Sequence, residues 1–306
     1  MNSLTSAKLV VKNISKSYGT SDKKIGVLSN IDLEVNSGEF VSIIGPNASG
    51  KSTLIKIIAG ILPADSGSVS LSAEAVPHGH FHFSKSEYRQ EKSVAPHGHF
   101  HFSKSEYRQE KLVAPHGHFH FSKSEYRQEK LVAYMPQDNA LLPWRTVEEN
   151  LLLPSDVREI PRGAMREKVR ILLKEYGFLQ YASFYPSALS GGTRQKIALL
   201  RMTLHEHSFL LLDEPFAPLD ALSRLSAQQW LLGLVKKRQG SALMITHDIR
   251  EAIFLSDVIY VLEKSGRILE KIRVSLPKPR THEDLGTPAA LDLAKKLFSL
   301  LLPAQI

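Results

Sequence analysis

The sequence predicts a layered α/β fold on a mostly parallel sheet. Three observations lead there. Apolar, strand-like runs alternate with helix-like stretches along most of the chain. Two of the runs, FLLLD ending at Asp213 and ALMITH ending at His247, are continuous rather than alternating, as in central strands covered on both faces. A glycine-rich turn from Gly45 to Ser52 separates an apolar strand from a helix.

Taken in order, Lys8–Tyr18, Gly26–Val35 and Glu39–Gly45 read as strands broken by Gly, Asn and Ser, and they predict an N-terminal antiparallel β lobe. KSTLIKIIAG is a helix that Gly60 closes. Ser68–Val76 and Leu131–Gln137 are further strands on either side of a repeated segment. Residues 146–177 predict helix, because Met165, Val169, Leu172, Leu173 and Tyr176 share one face. Another helix starts near Thr193, so that about 138–207 form a helical subdomain inserted in the core. A helix from Ala221 to about Arg238 leads to the second central strand. DVIYVLE and GRILEKIRVSL close the core as strands. The main domain is expected over 1–275, and the tail, 276–306, carries an amphipathic helix, AALDLAKKLFSLL.

Composition removes several classes. The 306 residues are 42% hydrophobic and 23% charged, ordinary for a globular protein with a full core. No apolar run is long enough to predict a membrane span, and the N-terminus has no secretory pattern. The absence of cysteine excludes disulfides and thiolate metal sites and suits a cytoplasmic setting. The net charge is +8, but no helix-turn-helix or aromatic-interleaved basic stripe accompanies it, so nucleic acid is not an expected partner.

The chemistry lies in three motifs. Gly45-Pro-Asn-Ala-Ser-Gly-Lys51-Ser52 fits G-x-x-x-x-G-K-[ST] between a strand and a helix. Its backbone N–H groups would converge on a phosphate at a helix N-terminus, with Lys51 reaching the β- and γ-phosphates and Ser52 ligating Mg²⁺. Gly45, Asn47, Ser49, Gly50, Lys51, Ser52 and Thr53 are therefore the expected contacts of a nucleotide's phosphates. Asp213, at the tip of FLLLD, can hold Mg²⁺, and Glu214 is placed to polarise an attacking water. In LSGGTRQ, Ser190, Gly191 and Gly192 open a helix and form a second anion site. Two phosphate sites in one chain suggest a nucleotide shared between two chains.

Together these motifs resemble the nucleotide-binding subunit of an ABC transporter, over residues 8 to about 275. The resemblance implies a phosphate-loop NTPase core that dimerises head to tail around ATP. Tyr18 in SKSYG stands where that family stacks an aromatic ring on adenine. Gln137 in AYMPQD stands where a glutamine senses Mg²⁺ and couples to the membrane subunit. Asp220, in Pro218-Leu219-Asp220, belongs to the loop that speaks across the dimer, and His247 matches the switch histidine at the γ-phosphate. The implied catalytic residues are thus Glu214, His247 and Gln137, and the implied metal site is Ser52, Gln137 and Asp213. Three positions depart from the family pattern: Ala48 replaces a frequent Gly, Thr193 a Gln, and Pro218 a small residue. The stretches DNALLPWRTVEENLLLP, ITHDIREAIFLSDVIYVL and SLPKPR resemble importer subunits for nitrate, aliphatic sulfonates and taurine. That resemblance implies a peripheral subunit on the cytoplasmic face of the membrane. Its expected partners are a permease, which Leu141–Asn150 would contact with Trp144 as an anchor, a second ATPase subunit, and indirectly a solute-binding protein. An exporter or regulatory ATPase is the alternative.

One feature stands outside that pattern. PHGHFHFSKSEYRQEK occurs three times without a change, from Pro77, Pro96 and Pro115, a period of 19 residues. Perfect identity and the lack of capping units point to a tandem expansion rather than a solenoid. One copy belongs to the fold and two are extra. His78, His80 and His82 alternate and would face one way on a strand, which leaves Zn²⁺ binding on an inactive scaffold as a second alternative. The plainer reading is a surface segment in which Ser84 and Glu87 form a capping box for a short helix.

Overall fold

The computed structural model describes residues 7–20, 23–73, 132–138, 141–157, 161–204, 207–238 and 240–302. The three repeat copies, with their histidines and the expected Ser84–Glu87 capping box, lie outside the described residues.

The elements follow the predicted order. Strands β1 (Ala7–Thr20), β2 (Lys23–Val35) and β3 (Phe40–Ile44) precede helix α1 (Lys51–Ile58) and β4 (Ser66–Ala73). Then come β5 (Val132–Met135), α2 (Val147–Val157), α3 (Arg162–Glu175), α4 (Gly191–Met202), β6 (Phe209–Asp213) and α5 (Ala221–Arg238). The chain continues through β7 (Ser241–Thr246), α6 (Ile249–Leu255), β8 (Val258–Leu262), β9 (Ile268–Arg273) and α7 (Pro288–Leu301). Strands β2, β1 and β4 form an antiparallel sheet in that order. The second sheet runs β5-β6-β7-β3-β8-β9 and is parallel except for β9, which pairs antiparallel with β8.

The continuous apolar runs are explained by burial on both faces. Leu210 and Leu212 of β6 join Ala242 and Met244 of β7 in a core shared with α2, α3, α4 and α5. The intervening Phe209, Leu211, Leu243 and Ile245 face the opposite core, with α1 and the antiparallel sheet. A strand's period of two thus divides each run between two layers.

Three details differ from expectation. The helical reading of 146–177 is interrupted: α2 is Val147–Val157, and Pro161, with ψ 123°, stands outside the helical region as the N-cap from which α3 starts. After α3, Gly177 takes φ +73° and ends the helix, and two short 3₁₀ turns, Leu179–Tyr181 and Pro186–Ala188, carry the chain to Ser190. Helix α6 was not expected. Six of its seven residues are buried, so it shows no amphipathic stripe for periodicity to detect.

The tail is packed against the core. Ala290 and Leu297 of α7 are buried with Ile249, Ile253, Ile259 and Val274. Arg280 is buried, and its Nη1 donates to the carbonyls of Ile253, Phe254 and Ser256 at 3.0, 3.3 and 2.5 Å. A cation there satisfies the orphan carbonyls at the end of α6 and matches its dipole.

Candidate active site

Strands β3, β6 and β7 are neighbours and parallel, so the residues just past their carboxyl ends are brought together whatever their separation in sequence. Those residues are Gly45, Asp213–Glu214 and His247. In open α/β sheets such carboxyl-end crevices are where ligands bind.

The phosphate loop is shaped by backbone demands. A Cβ on Gly45 would lie 2.4 Å from the Leu262 carbonyl oxygen, so only glycine fits. Gly50 takes φ +92° and opens α1. Asn47 and Ala48 form the exposed turn of the loop, and Ala48 has φ +62°, which accounts for the frequent Gly there in the family pattern. Ser49 is buried, and its hydroxyl makes no hydrogen bond among the described residues. Such an orphan polar atom inside the loop suits a ligand that brings acceptor oxygens. Lys51 is buried, and its Nζ donates to the Gly45 and Pro46 carbonyls, both at 2.9 Å. Burial lowers its pKa, opposed by the carboxylates of Glu214 and Asp213. Thr53 follows Ser52 in the first turn of α1.

Ser52 Oγ donates to Asp213 Oδ1 at 3.1 Å, and Tyr134 of β5 donates its hydroxyl to Asp213 Oδ2 at 3.3 Å. Burial raises the Asp213 pKa, while both hydroxyls counter it. The same contact, added to burial, pushes the Tyr134 phenol up. Tyr134 was not singled out from the sequence. The signal available was strand alternation three residues ahead of Gln137. Glu214 has φ +46°, an uncommon conformation for a non-glycine residue. Its N–H donates to the Ile245 carbonyl, and its Oε2 lies 3.2 Å from His247 Nδ1. The expected catalytic pair is therefore in direct contact, and His247 remains largely exposed.

Other predicted residues stand apart from this group. Gln137 is exposed just past β5, and among the described residues it makes no hydrogen bond to Ser52 or Asp213. Tyr18, 44% exposed, pairs with Ile25 just beyond the register shifts of β1, with Lys16 Nζ 5.6 Å from its ring centroid. Ser190 caps α4, accepting from the Thr193 N–H at 3.2 Å, and its hydroxyl lies 2.9 Å from that of Thr193. A Cβ on Gly191 would sit 3.6 Å from Leu219 Cδ2, and one on Gly192 would sit 3.3 Å from Ser223 Cβ. The Ser190–Gly192 turn thus packs against the loop carrying Asp220, whose Oδ1 caps α5 through the Ser223 N–H. Gln195 of the same motif is buried and donates to the Pro215 carbonyl. Among the described residues, Ser190 makes no hydrogen bond to the phosphate loop, so two separate groups of predicted residues exist in one chain.

As to a metal, Ser52 and Asp213 offer adjacent hard oxygens. That suits Mg²⁺, which takes few protein ligands and completes its shell with phosphate and water. Among the described residues no cluster of three His, Cys, Asp or Glu side chains forms a self-sufficient metal site.

Comparison with known proteins identifies the family. The ABC transporter family profile matches residues 28–217. The aliphatic sulfonates import ATP-binding protein SsuB of Corynebacterium glutamicum is 32% identical over 92% of this chain and 90% of its own length. SsuB 1 of Xanthomonas axonopodis pv. citri is 32% identical over 97% of this chain and 99% of its own length. Among solved structures, the dimeric ATP-binding cassette MJ0796 bound to ADP and Pi superposes with a TM-score of 0.61. It covers 88% of this chain and all of that one at 24% identity, a likeness of fold. The chain belongs to the ABC transporter family and is an ATP-hydrolysing enzyme of the ATP-binding cassette kind.

Proposed function

We propose that the chain is the ATPase subunit of an importer, converting ATP binding and hydrolysis into uptake of a small substrate of the nitrate, sulfonate or taurine type through a partner permease. The observation that carries the catalytic half is the meeting of the phosphate loop, Asp213, Glu214 and His247 past three adjacent parallel strands. Lys51, now on its own loop carbonyls, exchanges these for the β- and γ-phosphates, and Tyr18 presents a face to adenine. Glu214 accepts a proton from the attacking water, and His247, held by Glu214, orients the γ-phosphate. Ser52 and Asp213, with Gln137, would hold Mg²⁺, which when bound would supply positive charge beside the phosphates. Among the described residues, Ser190 bonds to Thr193 and not to the phosphate loop, which supports a role for Ser190, Gly191 and Gly192 in another chain's site. They are assigned to the γ-phosphate in a second chain, with Asp220 beside them at the junction. Closure of that dimer on ATP, and its opening after hydrolysis, drives the permease.

The importer half rests on the sulfonate-import relatives and on Leu141–Asn150. In that stretch Trp144 is 70% exposed while Asn150 is buried, accepting from the Leu142 N–H at 2.7 Å and donating to the carbonyls of Leu142, Arg145 and Thr146. A rigid loop displaying an aromatic anchor suits a permease helix. No described helix is long and apolar enough to cross a membrane, so attachment to the cytoplasmic face is assigned to that contact, and a solute-binding protein to the permease's far side.

The deciding experiment is Glu214→Gln. It should lower turnover by roughly 10²–10⁴-fold and accumulate an ATP-bound dimer on size exclusion. A variant that stays monomeric in ATP and hydrolyses at the parent rate overturns the assignment. Co-purification of a permease tests the importer half.

A further inference from the structure

Glu251 is a buried carboxylate that the proposed mechanism does not use. It lies in the first turn of α6, and its Oε2 accepts from Thr246 Oγ1 at 2.6 Å while its Oε1 accepts from Gln228 Nε2 at 3.1 Å. Thr246 ends β7, and its hydroxyl also accepts from the Asp248 N–H at 3.0 Å. His247 is the residue between these two. Its turn is therefore pinned from beneath, on both sides, by one threonine hydroxyl whose orientation Glu251 sets.

The same carboxylate faces the opposite end of the site. Arg224, in the first turn of α5, donates from Nη2 to the Leu219 carbonyl at 3.1 Å, in the loop that carries Asp220. Its Nη1 lies 3.8 Å from Asp248 Oδ2, and its Nε lies 3.8 Å from Glu251 Oε1. That Nε is buried and makes no hydrogen bond among the described residues. A guanidinium N–H held just beyond hydrogen-bond length of a buried carboxylate is poised to close on it. Both Glu251 oxygens act as acceptors, one toward β7 and one toward α5, so the carboxylate links the two elements as an amide, with a single acceptor oxygen, could not.

We propose that Glu251 and Arg224 are positioning residues that couple the Leu219–Asp220 loop to the His247 turn, so that a partner chain pressing on the loop sets the histidine for hydrolysis. This rests on the assignment of His247 to the γ-phosphate.

The test is a double-mutant cycle in the full chain. Glu251→Gln and Arg224→Met are each made alone and with His247→Ala, and kcat, KM and thermal midpoint are read together. Each single variant should lower kcat about tenfold with KM within about twofold. Glu251→Gln gives up one of two buried acceptors and should lower the midpoint by only a few degrees, leaving the chain folded in the assay. In the His247→Ala background neither should lower kcat further, and Arg224→Lys should restore part of the loss. Unchanged kcat in the single variants, or losses that multiply fully in the doubles, overturns the coupling and leaves the His247 assignment standing. A His247→Ala variant that turns over at the parent rate overturns both. Arg224 is one-third exposed, so Arg224→Met carries the same test should Glu251→Gln fail to fold.

Discussion

Within the phosphate loop, two positions separate backbone strain from lack of space. Ala48 has φ +62°, a conformation that crowds a Cβ against its own backbone. Ala48→Gly should therefore stabilise the chain by about 1 kcal/mol, less the extra freedom of the unfolded glycine, seen as a higher midpoint in chemical denaturation. Gly45 is the opposite case, because the obstacle is the Leu262 carbonyl oxygen 2.4 Å from the would-be Cβ. Gly45→Ala must displace β3 or β8 and should cost on the order of 1–3 kcal/mol, with weaker binding of a fluorescent ATP analogue. A Gly45→Ala protein as stable as the parent would mean the loop is looser than described. The motif pattern named both positions, but only the three-dimensional neighbours say which tolerates a side chain and why.

Charged clamps hold α2 and α3 together as elements. Asp156 of α2 receives Arg162 Nε at 2.6 Å and Arg145 Nη1 at 2.9 Å, and Glu148 receives Arg166 and Arg170 of α3 at 2.8 and 3.0 Å. The two guanidiniums lower the Asp156 pKa to about 2. A carboxylate depressed on folding adds stability above its unfolded pKa, about 3.9, and loses it as pH falls through the folded value. Asp156→Asn should therefore melt below the parent at neutral pH, and the gap should close between about pH 4 and pH 2. A gap that stays constant over that window would remove the clamp. The periodicity of Met165, Val169 and Leu173 identified the buried face of α3, and all three are buried. It did not show the break at Pro161, because the apolar face resumes beyond it. Nor did it show α6, because a short helix buried on nearly every side has no stripe.

The repeat poses its question for the whole molecule. Removing residues 96–133 deletes two periods and places Val94 and Ala95 directly before Tyr134, so the VAYM sequence of β5 is rebuilt. The shortened chain should hydrolyse ATP at the parent rate if the extra copies are passive. A slow parent rescued by the deletion would show that they disturb the site beside Gln137, next to β6 and Asp213.

Motif spacing and hydrophobic pattern were enough to predict the layered α/β class and to pick out the glycine-rich loop, the acidic strand end and the LSGGTRQ turn, while the family came from the resemblance those motifs carry. These are local properties: loops are defined by glycine conformations, and central strands by unbroken apolar runs. Tertiary structure decided what depends on distant residues. Parallel pairing of β3, β6 and β7 brings Gly45, Asp213 and His247 to one crevice. Tyr134 meets Asp213 across adjacent strands, Arg280 plugs the end of α6, and Glu251 reaches Thr246 and Gln228 through the core. No spacing rule records such contacts, because their energy comes from burial and hydrogen-bond satisfaction between elements, which exist only once the layers have packed.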